Sequence, residues 1–251
     1  MEWFNRLYFG TWQLGGGQFK KLTSAYIESL LLFAISSGIC RFDTATVYGR
    51  GIVEEILGSC LPEDTVIVTK IPATSKPSLE SPAPIERFYS RDSIYRSAYG
   101  SLERLRRTSI DTMLLHNWLP TWSSGAVAIL ECLNRLKDQG IAKRVGISLP
   151  DNFSFPVDEA VLPYLDVIEA PFNSEQRWVL QQLSYLLGLK KEILLRSLFC
   201  QGKLLTDRRS ADALIQDALK LGTSVVIGMT TEEQITRNIN CLKGERYEQE
   251  K

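Results

Sequence analysis

Three ionisable side chains stand at the ends of short strand-like runs: Asp43 after Ile39–Phe42, Lys70 after Val66–Thr69, and His116 after Met113-Leu114-Leu115. Tyr48 follows Asp43 by five positions. A carboxylate, a phenol, an ammonium and an imidazole are the parts from which a proton-transfer site is built. Taken singly, each has a plainer reading. A strand-end aspartate or lysine is usually half of a structural ion pair, and His116, the one histidine of the chain, could be a hydrogen-bonded core group. Such types at three consecutive strand ends make a stronger signal, provided the fold gathers those ends at one point.

The elements that would do so follow from the hydrophobic pattern. Short β-branched runs at about 6–13, 39–44, 65–71, 110–117, 144–149, 166–172, 192–199 and 224–229 alternate with helical periods. The helical patterns fall near 24–37, 51–58, 91–107, 124–139, 157–164, 175–188, 210–221 and 231–242. Eight strands, each followed by a helix, predict one α/β domain over residues 1–251, a (β/α)8 TIM barrel. Gly38, Gly140 and Gly222 sit just past helical runs, where a left-handed residue is wanted, and Thr231 is placed to cap the last helix. In such barrels the C-terminal strand ends form the active mouth, so Asp43, Lys70 and His116 are placed to meet. The proline-rich stretch from Pro72 to Tyr89 is expected to overhang that mouth.

The 251 residues carry 29 basic and 29 acidic side chains, which gives no electrostatic case for nucleic acid or an anionic membrane. The five cysteines are scattered and never spaced as CxxC, so neither a disulfide framework nor a metal site is expected, and a reducing cytoplasm fits. No segment reads as a signal peptide or a membrane span. The expected partner is a small molecule, and the sequence leaves the oligomeric state open.

The segment Phe42-Asp43-Thr44-Ala45-Thr46-Val47-Tyr48-Gly49, with Lys70 in its IVTKI run and His116 in its MLLHNW run, resembles the aldo-keto reductases. The likeness extends to the glycine-rich start, RVGISL in the fifth strand, LLRSLFCQGKLL around the seventh and VIGMTTEEQITRN at the eighth. It implies an NAD(P)H-dependent oxidoreductase that reduces the carbonyl of a small aldehyde, ketone or sugar-like molecule, without a metal. Asp43, Tyr48, Lys70 and His116 would be the catalytic set. Hydride delivery to a carbonyl carbon leaves negative charge on oxygen, and Tyr48 would protonate it. A phenol with a pKa of about 10 needs a nearby cation to ease proton release. Lys70 would supply it, Asp43 would hold Lys70, and His116 would orient the carbonyl.

The resemblance further implies that Ser148 and Glu169 contact the nicotinamide carboxamide and that Arg196 lies against the ring. Leu198, Gln201 and Gly202 would follow the pyrophosphate, with Gly228, Thr230, Gln234 and Asn238 near the adenosine. Glu169 stands where the family often has glutamine, and it could pair with Arg196 instead. No basic residue follows Gly228 before Arg237, so NADP is favoured over NAD only weakly. The chain resembles a short family member without the usual C-terminal tail. Trp12, Trp118, Trp122 and Phe172 are candidates for the walls of an apolar substrate pocket. Two other readings are a cofactor-binding sensor or regulatory barrel with weak or lost catalysis, and an aldolase-like barrel using Lys70 as a Schiff-base amine.

Overall fold

A computed structural model describes residues 5–17, 19–151, 156–204 and 208–244. Eight parallel strands run in order around a closed barrel. They are β1 (Leu7–Gly10), β2 (Arg41–Asp43), β3 (Val66–Ile71), β4 (Ile110–Leu115), β5 (Ala142–Ser148), β6 (Val167–Pro171), β7 (Glu192–Arg196) and β8 (Ser224–Gly228). Closure is by β1 on β8, Leu7 facing Val225 and Gly10 facing Gly228. The (β/α)8 architecture read from the sequence is the one observed.

Seven α-helices surround the barrel among the described residues: α1 (Ser24–Ser36), α2 (Ile52–Cys60), α3 (Arg91–Leu105), α4 (Val127–Asp138), α5 (Leu183–Gly188), α6 (Arg208–Lys220) and α7 (Glu232–Lys243). The helix expected at 157–164 is reduced to a single 3-10 turn, Leu162–Tyr164. Pro163 lies at its start, lacks an N–H and restricts the residue before it, so an α-helix cannot run through to Tyr164. Gly38, Gly140 and Gly222 do carry the left-handed backbone expected past α1, α4 and α6, with φ of 93°, 71° and 75°.

Side chains alternate across each strand, and the two faces bury different things. Tyr8, Val68, Leu114, Val167, Leu194 and Val226 form a small apolar cluster separate from the main core, as expected of the barrel interior. The larger core lies between strands and helices, with Phe9, Phe42, Ile67, Met113, Val145, Ile168 and Val225 among its members. Two residues beyond each inward apolar position stand Gly10, Lys70, His116, Glu169, Arg196 and Gly228. One parity rule thus carries all of these to the C-terminal mouth.

The 72–89 segment was expected to overhang the mouth, but none of its residues lines the cleft described below. It is tied down beside β4. Tyr89 donates to His116 O at 2.6 Å, Trp122 Nε1 donates to Ala83 O at 2.9 Å, and the Phe88 and Trp122 rings lie 5.2 Å apart.

Strand spacing depends on Gly146, which faces Val167 across β5 and β6. A Cβ there would lie 1.8 Å from Val167 O, a backbone atom that cannot give way, whereas a Cβ on Gly188 meets nothing within 4 Å. Gly146→Ala is therefore expected to destabilise the protein by about 3 kcal/mol or more, as for severe overpacking. Gly188→Ala should be neutral or stabilising by up to about 1 kcal/mol. Urea unfolding of both variants measures the contrast, and equal midpoints would contradict the close approach.

Candidate active site

The mouth of the barrel opens into a cleft of about 1050 Å³. At its base Lys70, 1% exposed, is clasped by carboxylates from two other strands. Its Nζ donates to Asp43 Oδ2 at 2.6 Å and to Thr44 O at 3.0 Å, and Glu169 Oε2 lies 3.2 Å away. Burial by itself lowers an ammonium pKa, but Asp43 and Glu169 outweigh it and hold Lys70 above its ordinary value. In the resting protein the ammonium is therefore charged near neutral pH.

Tyr48 begins the 3-10 turn Tyr48–Gly51 that leads into α2. Its place is set by the β1 loop, which presses on it closely: a Cβ on Gly15 would be 2.7 Å from Gly49 N. Below, the buried Glu54 of α2 accepts from Thr69 Oγ1 at 2.6 Å and from Arg104 Nε at 2.7 Å, anchoring the helix to β3 and α3. Lys70 Nζ stands 5.7 Å from the centre of the Tyr48 ring, and the His116 ring meets it edge-on at 6.4 Å. Burial, opposed by Lys70 and reinforced by Asp43 and Glu169, pushes the phenol up to about 12. The sequence argument assigned Lys70 the task of easing proton release. Lys70 does pull in that direction, but its surroundings win. Burial and then the Lys70 charge push His116 down to about 3, so its imidazole is neutral.

Glu169 pairs with Arg196 as the sequence suggested, Nε to Oε1 at 3.2 Å. The guanidinium also bonds Asp151 Oδ1, Leu149 O and Ser197 Oγ, and Ser148 Oγ donates to Glu169 Oε1 at 3.0 Å. Ser148 is itself 1% exposed and does not line the cleft, so its hydroxyl is committed to Glu169. Glu169, Arg196, Leu198, Gln201, Gly202, Gly228, Thr230 and Gln234 all line the cleft. Asn238 does not. It shares the packed face of α7 with Ile235 and Ile239 and is 1% exposed. Thr231 caps α7 as expected, accepting from Gln234 N at 3.2 Å, while Gln234 Oε1 accepts from Thr230 N at 2.7 Å.

Of the candidate pocket aromatics, Trp12 lines the cleft and meets Phe19 edge-on at 5.0 Å. Trp118, Trp122 and Phe172 do not line it. Asn117, with φ of 59°, turns the chain after His116, and Trp118 packs on Trp122 at 5.8 Å. Phe172 lies beneath the Arg177 guanidinium at 5.3 Å.

Sequence reasoning missed Gln13, Lys20, Lys21, Asn117 and Asp151, all of which line the cleft. The triple glycine at 15–17 was the available signal for the first three, since Gly15 lies close against Gly49 while Gly16 and Gly17 leave open space beside them. Gly228 offered another: a Cβ there would lie 2.1 Å from Gln13 Nε2, so the glycine is what admits Gln13. Among the described residues no three His, Cys, Asp or Glu side chains gather as a metal site, and no helix is long and apolar enough to cross a membrane.

The family model for the aldo/keto reductases matches residues 6–161. Aldo-keto reductase YhdN of Bacillus subtilis (strain 168) is 29% identical over 211 residues, 80% of this chain and 60% of its own length. The uncharacterized oxidoreductase YcsN of the same organism is 30% identical over 168 residues, 64% of this chain and 54% of its own. The chain thus spans little more than half the length of these relatives. An aldo-keto reductase from Bacillus halodurans in its holo form superposes with a TM-score of 0.76 at 18% identity, over 95% of this chain and 86% of that one. One from Klebsiella pneumoniae, in complex with NADPH, does so with a TM-score of 0.72 at 19% identity, over 95% and 85%. With a closed eightfold barrel, Asp43, Tyr48, Lys70 and His116 together at its mouth, and a family model matched over more than half its length, the chain belongs to the aldo/keto reductase family.

Proposed function

We propose that the chain reduces the carbonyl group of a small molecule using a nicotinamide cofactor, with Tyr48 as the proton donor. The observation that carries this reading is the buried ammonium of Lys70, held by Asp43 beside the phenol of Tyr48 and below an open cleft. A phenol near 12 stays protonated in the resting protein, yet it is a stronger acid than an aliphatic alcohol. It therefore releases its proton only once charge has begun to build on the substrate oxygen. Neutral His116 can donate a hydrogen bond to that oxygen without carrying charge of its own. When bound, the cofactor supplies the hydride.

The cleft suits a dinucleotide. Gly16 and Gly17 leave open space where side chains would stand, and so does Gly202 on the β7 loop. Lys20 and Lys21 bring two positive charges to the loop entering α1, whose Tyr26 hydroxyl donates to Thr230 O at 3.0 Å, beside the start of α7. Against this, Glu232 and Glu233 occupy the first turn of α7 and oppose phosphate there. The balance favours NADP(H) over NAD(H) by less than about a hundredfold, or about 2.7 kcal/mol. Fluorescence titration with both reduced cofactors measures that ratio, and a larger one would contradict it.

Tyr48→Phe is expected to preserve fold and cofactor affinity while slowing the chemical step by about 10²–10⁴. Lys70→Met should do comparable damage, and the double variant little more, because both disable one proton transfer. Single-turnover reduction of an accepted aldehyde reads this out. Full activity in Tyr48→Phe removes the assignment.

His116 gives the chain a single imidazole to follow by NMR. Because burial depresses its pKa to about 3, the ring signals should hold constant as pH falls from about 8 to 5. An unfolded imidazole titrates near about 6.5, so the stability contributed by neutral His116 is present above that pH and declines as pH falls toward about 3. Signals titrating close to 6.5 would place the ring in water and remove it from the site.

A further inference from the structure

The proton transfer just described makes no use of Glu169, although this carboxyl is buried in the same site. Its Oε1 is served by Ser148 and Arg196. Its Oε2 lies 3.2 Å from Lys70 Nζ but outside hydrogen-bonding alignment, so it is a buried oxygen without a donor. The ammonium directs its bonds to Asp43 Oδ2 and Thr44 O instead. Leaving a buried acceptor unserved costs about 1–3 kcal/mol, and more for a charged one. A proton between the two carboxyls would serve it.

The charges point the same way. Asp43 from β2 and Glu169 from β6 crowd one Nζ atom, at 2.6 and 3.2 Å. The other groups facing them are Tyr48 and His116, both neutral, and Arg196, whose charge is shared with Asp151. Asp151 is exposed and, of this pair, Arg196 reaches only Glu169 Oε1, so at Nζ itself two buried carboxyls converge on one ammonium. Like charges this close do not both ionise when a single proton can relieve them.

We propose that Asp43 and Glu169 hold one proton between them, and that Glu169 is a positioning residue whose stored proton restores Lys70, and through it Tyr48, after each reduction. The proton sits on the Asp43 side: burial and the Glu169 charge raise Asp43 well above the carboxylate range, whereas Lys70 and Arg196 hold Glu169 low despite its burial. The Tyr48 O–H bond breaks as its proton passes to the substrate oxygen, leaving a phenolate. An N–H proton of Lys70 then moves to that phenolate, leaving an amine. The Asp43–Glu169 proton moves to Nζ, leaving two carboxylates beside a restored ammonium, and a solvent proton refills the pair. These steps move protons only.

The refilling role rests on the reductase reading, but the shared proton belongs to the resting protein and is measured without turnover. Infrared spectra of the whole protein near neutral pH should show the C=O stretch of a protonated carboxyl, recognised by its shift in D2O. Free carboxyls are ionised there. The band should vanish in Glu169→Gln and in Asp43→Asn, each of which leaves a lone carboxylate facing Lys70. In turnover, Glu169→Gln should move the alkaline limb of the kcat profile to lower pH by about one unit. It removes the stored proton, while the lone Asp43 carboxylate keeps one negative charge beside the Tyr48 phenol. A wild-type spectrum without the band overturns the proposal, and that reading needs no variant to fold. A band that survives Glu169→Gln overturns it too, as does a uniform fall in kcat with the limb unmoved. A protein that shows the band yet reduces no carbonyl keeps the shared proton and loses the reductase reading instead.

Discussion

A positive charge taken out of water is the constraint around which this molecule is arranged. Removing an ammonium from solvent costs several kcal/mol even after relaxation, and the cost is met only where partners converge with good geometry. For Lys70 the partners come from separate strands: Asp43 and the Thr44 carbonyl at the end of β2, and Glu169 on β6. They can reach one nitrogen only if the sheet closes on itself with the correct register. Loss of either carboxyl would leave the other facing Lys70 alone and undo the convergence that holds the ammonium, so the fold and the chemistry answer to the same demand.

The barrel interior reads as layers along its axis. At the bottom, Arg41 donates to the Tyr8 hydroxyl and Arg144 pairs with Glu192. Above them lies the apolar layer of Tyr8, Val68, Leu114, Val167, Leu194 and Val226, and above that the polar residues of the mouth. The middle layer closes the barrel beneath Lys70, so the polar groups of the mouth meet the outside only through the cleft. That one-sided access, with burial on every other face, is what drives the Tyr48 phenol up and the His116 imidazole down.

Much of this was legible from residue types alone. The strands announced themselves by β-branched runs, and Asp43, Lys70 and His116 by interrupting them. Their meeting followed from barrel geometry. The failures have particular causes. Phe172 follows Glu169 by three, so strand alternation sends it to the opposite face, and applying that rule would have excluded it. Asn238 lies three residues from Ile235 and next to Ile239, a helical spacing that marks the packed side of α7. Trp118 was harder, because its parity matches His116 and only the left-handed turn at Asn117 reverses it. No pattern in the sequence foretold that Pro72–Tyr89 would be tied down beside β4, since the Trp122 and Tyr89 hydrogen bonds that hold it are long-range and formed by ordinary side chains.

Arg196 leaves the rim of the barrel lopsided. One guanidinium fastens the ends of β5, β6 and β7 through Leu149, Asp151, Glu169 and Ser197. Across the mouth, among the described residues, the loop after β1 meets the end of β8 through the Gln13 side chain packed on Gly228 and an exposed hydrogen bond from Tyr26 to Thr230. Parting the rim on the arginine side breaks several charge-assisted bonds, whereas the described contacts on the glycine side are between neutral groups. Changes in residues 15–17 and 19–26, well away from the atoms that react, are therefore expected to alter traffic through the cleft while leaving the proton-transfer groups as they are.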